Sequence, residues 1–183
     1  MVLDRRTFLR TGVAGFGSIM LLPSCIREGN PYEFFTPEEA KCLISLCEQI
    51  IPADGHGGGA TDAGVIHYID RQLVAVFNVD QVLYQRGISA MQSSSLEMHG
   101  VRFEQLEWET QLEFVQLMER RELPDNHWAG IDPARFFNRV IQHAMQGFYG
   151  APRHGGNRNY MSYQMMGLDF PLVVGRNHYK QLA

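Results

Sequence analysis

A helical repeat of apolar residues, with almost no strand alternation, runs through most of this sequence. Apolar side chains recur at steps of three and four residues in successive segments between residues 36 and 150, so each segment has one apolar face. A short apolar run at 172–174 is the exception. The spacing predicts an all-α fold with about five to six helices in one small bundle-like domain over 26–183, ending in an irregular tail over 150–183.

Polar caps and prolines mark the expected helix boundaries. Thr36, Pro37 and Glu39 form a capping box that starts the first helix, and Pro52 ends it. Asp62 is expected to cap the second helix. On this helix Asp70, Arg71 and Gln72 are expected to be exposed, and the side chains expected to be buried are Val65, Ile66, Ile69, Leu73, Val76 and Phe77. Asp80 is expected to cap a third helix that runs toward Met98, and a fourth helix is expected between Glu104 and Arg121. A fifth helix is expected to begin at Asp132–Pro133 and to end in a left-handed cap at Gly150.

That fifth helix has the broadest apolar face of the chain. Its members are Phe136, Phe137, Val140, Ile141, Ala144, Met145 and Phe148. Beyond it, the tail over 150–183 combines glycine, aromatic, methionine and basic residues with little helical order. A segment with so much apolar side chain and so little periodicity is expected to lie across another surface, either its own domain or a partner.

The first 25 residues have the layout of an export signal. A paired arginine is followed by Phe-Leu and by a mildly apolar stretch with three glycines and a serine. That stretch, residues 11–22, is shorter than the roughly 20 residues that a membrane-spanning helix needs. The pattern predicts that residues 1–25 are a twin-arginine signal for folded cargo; a general secretory signal or a basic N-terminus without such a role is the alternative. The signal residues are Arg5, Arg6, Phe8 and Leu9.

Cys25 stands where a lipid anchor would be attached. Leu22 lies three residues before it and Ser24 immediately before it, as in the box at which bacterial lipoproteins are cleaved and acylated, whereas Pro23 departs from that pattern. Several acyl chains on Cys25 would hold the protein at a membrane. Lipidation of Cys25, an unmodified thiol and a leader that stays attached are the three alternatives.

Net charge argues against nucleic acid as a partner. Without the leader the chain holds 13 basic and 19 acidic residues, and the basic residues are scattered singly among the acids. Binding to a phosphate backbone requires clustered Lys and Arg. We therefore expect no DNA or RNA partner.

Cys42 and Cys47 are five residues apart in the first helix. Helix geometry separates their Cα atoms by about 8 to 9 Å, which is beyond disulfide reach. The spacing predicts two core residues, and a bond from either one to Cys25 or to a partner chain is the alternative.

No arrangement of residues predicts a catalytic, cofactor-binding or metal site in this chain. The seven histidines show neither HExxH nor a pair at i and i+4, as zinc sites often do. The sequence also contains no Gly-x-Ser-x-Gly nucleophile turn, no GxGxxG for a flavin or nicotinamide and no CxxCH for haem. The three glycines at 57–59 lack the Lys and Thr that follow in a phosphate loop.

The most distinctive stretch is a turn after the fifth helix, called here the RHGGN turn: Arg153, His154, Gly155, Gly156 and Asn157. It has two interpretations. One is a helix cap followed by a polar turn. The other, which we favour, is a rigid, donor-rich loop that docks on another subunit, where glycine lets backbone amides approach and Arg153 supplies a forked contact. One His and one Arg without a carboxylate or nucleophile beside them do not make an acid-base pair.

Three blocks resemble, in order and spacing, the gluconate 2-dehydrogenase subunit 3 family. They are FFTPEEAKCLISLCEQIIPAD at 34–54, DAGVIHYIDRQL at 62–73, and FFNRVIQHAMQGFYGAPRHGGN at 136–157 with SYQMMGL after it. The likeness covers nearly all of the chain after the leader. The matched positions are Ile51, Pro52, Asp54, Ile69, Asp70, Arg71 and the RHGGN turn, and the family assigns a catalytic role to none of them.

The resemblance implies a complex. In that family a small helical subunit accompanies a large FAD-containing subunit of the glucose-methanol-choline oxidoreductase type, often with a multihaem cytochrome c that carries haem c. FAD and haem c are thus expected in partners and not in this chain. The twin-arginine translocase would export the folded pair to the periplasmic face of the cytoplasmic membrane, held there by a lipid anchor or by a partner.

Two other functions stay open at this point. The chain is alternatively a free-standing exported lipoprotein or periplasmic binding module with a ligand site among its helices, or an enzyme in its own right. The missing catalytic motifs favour the non-catalytic subunit over the enzyme.

Overall fold

The computed structural model describes residues 29–55 and 57–168, and within these ranges it contains α-helices and short 3₁₀ turns but no strand. The compact unit begins at Pro31. Its helices are α1 (Pro37–Ile50), α2 (Val65–Val74), α3 (Gln81–His99), α4 (Trp108–Arg120), α5 (Pro133–Tyr149) and α6 (Met161–Met165). The predicted all-α fold is confirmed, whereas the leader over 1–25 and the run over 172–174 lie outside the described residues.

The capping box at the start of α1 is confirmed. The Thr36 hydroxyl accepts from the Glu39 N–H at 3.2 Å, and the Glu39 carboxylate accepts from the Thr36 N–H at 2.8 Å. These two bonds satisfy amides that the first turn of a helix leaves without partners. The face of α1 that begins with Ala40 and Leu43 is buried, and it includes both cysteines.

The glycine-rich loop between α1 and α2 is organised by one carboxylate of α1. Glu48 accepts from the Ala53 N–H at 3.1 Å and from the Thr61 N–H at 2.9 Å. The prediction that Asp62 caps α2 is wrong: Asp62 accepts from the Gly59 N–H within the loop, and α2 begins after Gly64 in a left-handed conformation. Hydrogen bonding inside the loop therefore decides where α2 starts.

The second helix ends earlier than its apolar stripe predicts. α2 stops at Val74 because the backbone of Ala75 leaves the helical region, and the side chain of Val76, predicted to be buried, is 70% exposed. Phe77 still turns inward, where its ring stacks on His143 with 4.1 Å between centroids. The predicted helical period therefore extended three residues beyond the end of α2, from Val74 to Phe77.

The third helix is more regular than its composition predicts. α3 runs unbroken from Gln81 to His99 through Gly87. A Cβ atom on Gly87 would lie 2.3 Å from the Phe136 ring, so the missing side chain makes room for a core aromatic of α5. Asp80 precedes α3 but makes no capping hydrogen bond with its side chain; that prediction is wrong because the carboxylate turns toward α5 instead.

The fifth helix is the centre of the bundle, since it contacts α1, α2, α3 and α4. Asp132 accepts from the Ala134 and Arg135 amides, and Pro133 occupies the first turn, as predicted. The left-handed cap predicted at Gly150 is wrong: its φ is −74° and its ψ 176°, which is extended backbone. The turn that follows is held by contacts with α2 and α5 and not by a left-handed cap.

Candidate functional site

The RHGGN turn lies between α5 and α6 and is anchored by its last residue. Asn157 has 0% exposure, and its Nδ2 donates to the Gly150 carbonyl at 2.9 Å. Its Oδ1 accepts from the Ser162 N–H at 2.9 Å. The residue adopts φ 45°, in the left-handed region where asparagine is enriched. Asn157 thus holds the shape of the turn from inside, and in this conformation it does not reach a partner.

The two glycines of the turn allow close approach to helices of the same chain. A Cβ atom on Gly156 would lie 2.1 Å from the Gly147 carbonyl oxygen of α5. Gly155 has φ 105°, and a Cβ there would lie 3.2 Å from the His67 carbonyl oxygen and from Cδ of Arg71, both on α2. The glycines therefore position the turn against α5 and α2.

A further bond ties the segment after the turn to the glycine-rich loop. The Arg158 N–H donates to the Ala63 carbonyl at 3.0 Å, and the Arg158 guanidinium lies over Gly64. Residues 150–168 accordingly form two 3₁₀ turns and the short helix α6, packed on α2 and α5. Of the predicted irregular tail, this first part lies across its own domain, and residues 169–183 fall outside the described part.

The two charged residues of the turn remain at the surface. Arg153 and His154 are both exposed, and Arg153 Nε donates to His154 Nε2 at 3.1 Å. Among the five residues predicted to dock, these two present exposed side chains, while the other three shape the backbone. Docking on another subunit stays a prediction for Arg153 and His154.

An open groove of about 550 Å³ lies beside His154. Its walls include Tyr68 of α2 and the side chains of Met145 and Tyr149, which are 42% and 43% exposed. The sequence placed Met145 on the buried face of the fifth helix, which is wrong, because the core covers a narrower arc of α5 than the apolar stripe spans. Apolar side chains exposed next to a rigid polar turn are typical of a contact surface.

The sequence analysis missed a carboxylate that fixes the chain before α1. Asp70 was expected on the exposed side of α2 but is 2% exposed, and it accepts three backbone N–H groups. These donors are Glu33 at 2.7 Å, Phe34 at 2.9 Å and Phe35 at 3.0 Å. Charge-assisted bonds of this kind are about twice as strong as neutral ones. The available signal was that Asp70 follows Ile66 by four residues and precedes Leu73 by three, which is the spacing of the buried face.

Next to the Asp70 carboxylate and its three N–H donors, Tyr32 stacks on His67 with 5.6 Å between ring centroids. Partial burial lowers the pKa of His67, and the nearby Arg158 guanidinium lowers it further. Because the His67 carbonyl also faces Gly155, the segment entering α1 and the RHGGN turn occupy neighbouring positions on α2.

A second polar cluster, missed from the sequence, lies inside the bundle. Tyr84 Oη is 2.9 Å from His143 Nδ1, His143 Nε2 is 3.7 Å from Asp80 Oδ2, and Arg139 Nε is 3.4 Å from Asp80 Oδ1. His143 is 1% exposed, and burial lowers its pKa to about 4 despite the opposing effect of Asp80. A neutral, enclosed histidine that a substrate cannot reach does not act as a catalytic base. The cluster is structural.

Burial of His143 is expected to make the free energy of unfolding depend on pH. The pKa of His143 is about 4 in the fold against 6.5 for an ordinary histidine, so below pH 6.5 the unfolded chain binds a proton that the folded chain excludes. The contribution of His143 is constant above that pH and falls as pH drops toward 4. We expect a loss of about 2 kcal/mol between pH 7.5 and 5, measured by urea unfolding.

Two variants test the assignment of this pH dependence. His143→Asn is expected to be less stable at pH 7.5 and to lose most of the slope between pH 7.5 and 5. His154→Asn removes an exposed histidine and is expected to keep the slope of the original chain. A slope that persists in His143→Asn would assign the pH dependence to other groups.

Both described cysteines are core residues, as predicted. Cys42 and Cys47 are free and buried; burial raises the pKa of Cys47 to about 12 and also raises the pKa of Cys42. A thiol held protonated is a poor nucleophile and a poor metal ligand. Over residues 29–55 and 57–168, no group of three or more His, Cys, Asp and Glu side chains is placed to hold a metal ion.

None of the helices α1 to α6 combines the length and the apolar character needed to cross a membrane.

The comparison with protein families gives a match to the profile described as gluconate 2-dehydrogenase subunit 3, over residues 37–169. Neither a curated protein nor a solved structure matches the chain. The matched range takes in every helix from α1 to α6 and the RHGGN turn, and most of the chain. The chain therefore belongs to the gluconate 2-dehydrogenase subunit 3 family.

Proposed function

We propose that this chain is the non-catalytic small subunit of a membrane-associated, FAD-dependent dehydrogenase that oxidises gluconate or a related sugar or polyol. In this proposal it binds the large flavoprotein subunit, supports its folding and brings it through the twin-arginine translocase to the periplasmic face of the membrane. The family match supports a subunit of a gluconate 2-dehydrogenase. Membrane attachment would come from an acylated Cys25 or from a partner such as a multihaem cytochrome c.

One observation carries the docking part of the proposal: the RHGGN turn is rigid where it faces its own chain and polar where it faces solvent. Asn157 and Gly156 are buried, while Arg153 and His154 are exposed beside the groove at Met145 and Tyr149. Rigid presentation reduces the ordering cost of binding, because the loop already holds its bound shape. A turn built only as a helix cap would not need two exposed cationic or hydrogen-bonding side chains next to an apolar groove.

The chemistry of the described side chains supports a non-catalytic role. The histidine with a carboxylate and a tyrosine nearby, His143, is enclosed in the core, and the thiols are enclosed as well. The exposed pair of the turn, Arg153 and His154, has each other as hydrogen-bond partner. Catalysis by acid-base or nucleophilic groups requires an accessible reacting pair, and His143 and the two thiols do not provide one.

The proposal is tested by producing the large flavoprotein subunit with and without this chain. We expect flavin-dependent dehydrogenase activity in the periplasmic fraction only when both are present, and inactive large subunit in the cytoplasm otherwise. Equal periplasmic activity without this chain would contradict the proposal. A monomeric chain that is purified from its own cells without any flavoprotein would favour the free-standing binding module, and turnover of a sugar by the chain alone would favour an enzyme.

For the RHGGN turn, we expect Arg153→Ala combined with His154→Ala to weaken the complex about 10- to 50-fold, because Arg is a frequent interface anchor. The helices should remain folded, since both side chains are exposed. Binding of the purified large subunit, measured by calorimetry, gives the affinity, and far-UV circular dichroism monitors the helices. The matched control is Gln85→Ala with Arg86→Ala, a neighbouring exposed pair on α3. An unchanged affinity of the Arg153 and His154 variant would place the interface elsewhere.

A further inference from the structure

Acidic residues are absent from one long segment of this acidic chain. Residues 133–168 contain no Asp or Glu but four arginines, whereas the whole chain has 20 acidic and 16 basic residues. By contrast, residues 104–122 contain six glutamates. The expectation that the basic residues are scattered singly among acids is therefore wrong over 133–168. The four arginines are Arg135, Arg139, Arg153 and Arg158.

Much of this segment forms one solvent-exposed face, called here the α5 face. It consists of the outward stripe of α5, together with the groove and the exposed residues of the RHGGN turn. The stripe comprises Arg135, Asn138, Gln142, Met145, Gln146 and Tyr149, at steps of three and four residues. At 1.5 Å per residue, the stripe from 135 to 149 is about 21 Å long.

The carboxylates that border the α5 face are already paired. Asp80 is 7% exposed, and its Oδ1 lies 3.4 Å from Arg139 Nε. Asp132 accepts two bonds from Arg121 Nε at 3.0 and 3.1 Å and a third from Arg121 Nη2 at 2.9 Å. Neither acid therefore offsets the positive charge of Arg135, which lies in the first turn of α5 and is exposed. The face carries a net positive charge on a negatively charged protein.

The groove lies at the C-terminal end of the α5 stripe, beside the RHGGN turn. Met145, Gln146 and Tyr149 from α5 form one side of it, and His154 from the RHGGN turn forms the other. An apolar depression beside the exposed Arg153, on a face that also carries the exposed Arg135, fits a partner with an apolar side chain inside an acidic surface. The exposed side chains of the RHGGN turn alone are too few for a stable interface, which buries about 800 Å² on each partner.

We infer that the large flavoprotein subunit binds along the whole α5 face and presents to it an acidic surface with an apolar side chain that fills the groove. This inference rests on the proposed function and extends its docking site from the RHGGN turn along the α5 stripe, which is about 21 Å long, to Arg135. Charge repulsion between two α5 faces disfavours a symmetric dimer through this face, and the family match indicates the large subunit as the partner.

Charge reversal at Arg135 tests the electrostatic part. Glu is favourable in the first turn of a helix, so Arg135→Glu is expected to fold. We expect it to bind the purified large subunit at least about tenfold more weakly at ~0.02 M salt, with the difference shrinking at ~0.5 M salt. The control, Arg86→Glu, makes the same charge change on α3 outside the face. It should bind like the original chain.

Truncation at Tyr149 tests the groove. We expect Tyr149→Ala to weaken binding about tenfold at both salt concentrations, because it removes an apolar contact and no charge. The inference would be overturned, and the proposed function left intact, by the following result. Arg135→Glu and Tyr149→Ala would both bind the large subunit as tightly as the original chain does, while the Arg153 and His154 variant binds it more weakly. No binding by the original chain would overturn both. If Arg135→Glu loses binding to phosphatidylglycerol vesicles and keeps its affinity for the large subunit, the face belongs to a membrane and the inference is overturned.

Discussion

Replacing both leader arginines with lysine, Arg5→Lys with Arg6→Lys, is expected to abolish export of this chain and of the large subunit together. The twin-arginine route reads the arginine pair itself, whereas a general secretory signal needs only positive charge before its apolar stretch. Lysine keeps the charge and removes the pair, so the substitution separates the two routes. Immunoblots of periplasmic and cytoplasmic fractions, with dehydrogenase activity in each, measure the outcome.

The control for this experiment is Arg10→Lys, a change in the same leader outside the pair. It is expected to leave export close to the original level. Undiminished periplasmic yield of both subunits in the double variant would show that another route carries them. Export of the large subunit alone in that variant would show that it does not depend on this chain for transport.

Removing the buried carboxylate of α2, Asp70→Ala, is expected to lower the free energy of unfolding by about 3 to 5 kcal/mol. The substitution leaves the N–H groups of Glu33, Phe34 and Phe35 without their acceptor, and Phe35 is itself fully buried. Burying donors without partners costs about 1 to 3 kcal/mol each. Urea unfolding of the purified chain at pH 7.5 measures the loss.

Two further variants calibrate the Asp70 effect. Asp70→Asn keeps one acceptor oxygen and turns an amide toward a backbone N–H, so an intermediate loss is expected. Asp62→Asn changes an exposed loop carboxylate that accepts one backbone bond, from Gly59, and should cost under about 1 kcal/mol. Equal losses in Asp62→Asn and Asp70→Ala would mean that the clamp on residues 33–35 contributes little.

The Asp70 clamp, meaning the three hydrogen bonds from the backbone of residues 33–35 to the Asp70 carboxylate, also bears on the proposed docking site at the RHGGN turn. Asp70 holds the segment before α1 to the same helix, α2, whose His67 and Arg71 support Gly155 of the RHGGN turn. Asp70→Ala is therefore expected to loosen both the entry to α1 and the presentation of Arg153. Reduced large-subunit binding in that variant, at a temperature where it is still folded, is an expected consequence.

Sequence reasoning predicted local features of the fold well. The capping box at Thr36 and the start of α5 at Asp132–Pro133 were predicted correctly because their bonds join residues within three positions of each other. It was wrong at Asp62, Asp80 and Gly150. Asp62 and Gly150 accept bonds within neighbouring loops or turns, and Asp80 pairs with residues of α5 about 60 positions away.

The candidate site divides in the same way. The sequence identified the RHGGN turn but not the different roles of its residues, and it expected Asp70 outside and Met145 inside. Burial depends on which elements pack over a helix, and periodicity does not contain that information. The positive α5 face was visible in the sequence as a run without acids, yet only packing shows that its bordering carboxylates are already paired.

The all-α class, the family, the helix order and the location of the most distinctive turn could all be read from the amino-acid sequence, because they follow from nearest neighbours and short spacings. Tertiary structure alone decided that Asn157 is an internal anchor, that Asp70 clamps residues 33–35, and that Arg153, Met145 and Tyr149 face outward together. The physical reason is that a hydrogen bond or a buried contact needs both partners in place. For these residues, the partners are brought together only when the helices pack.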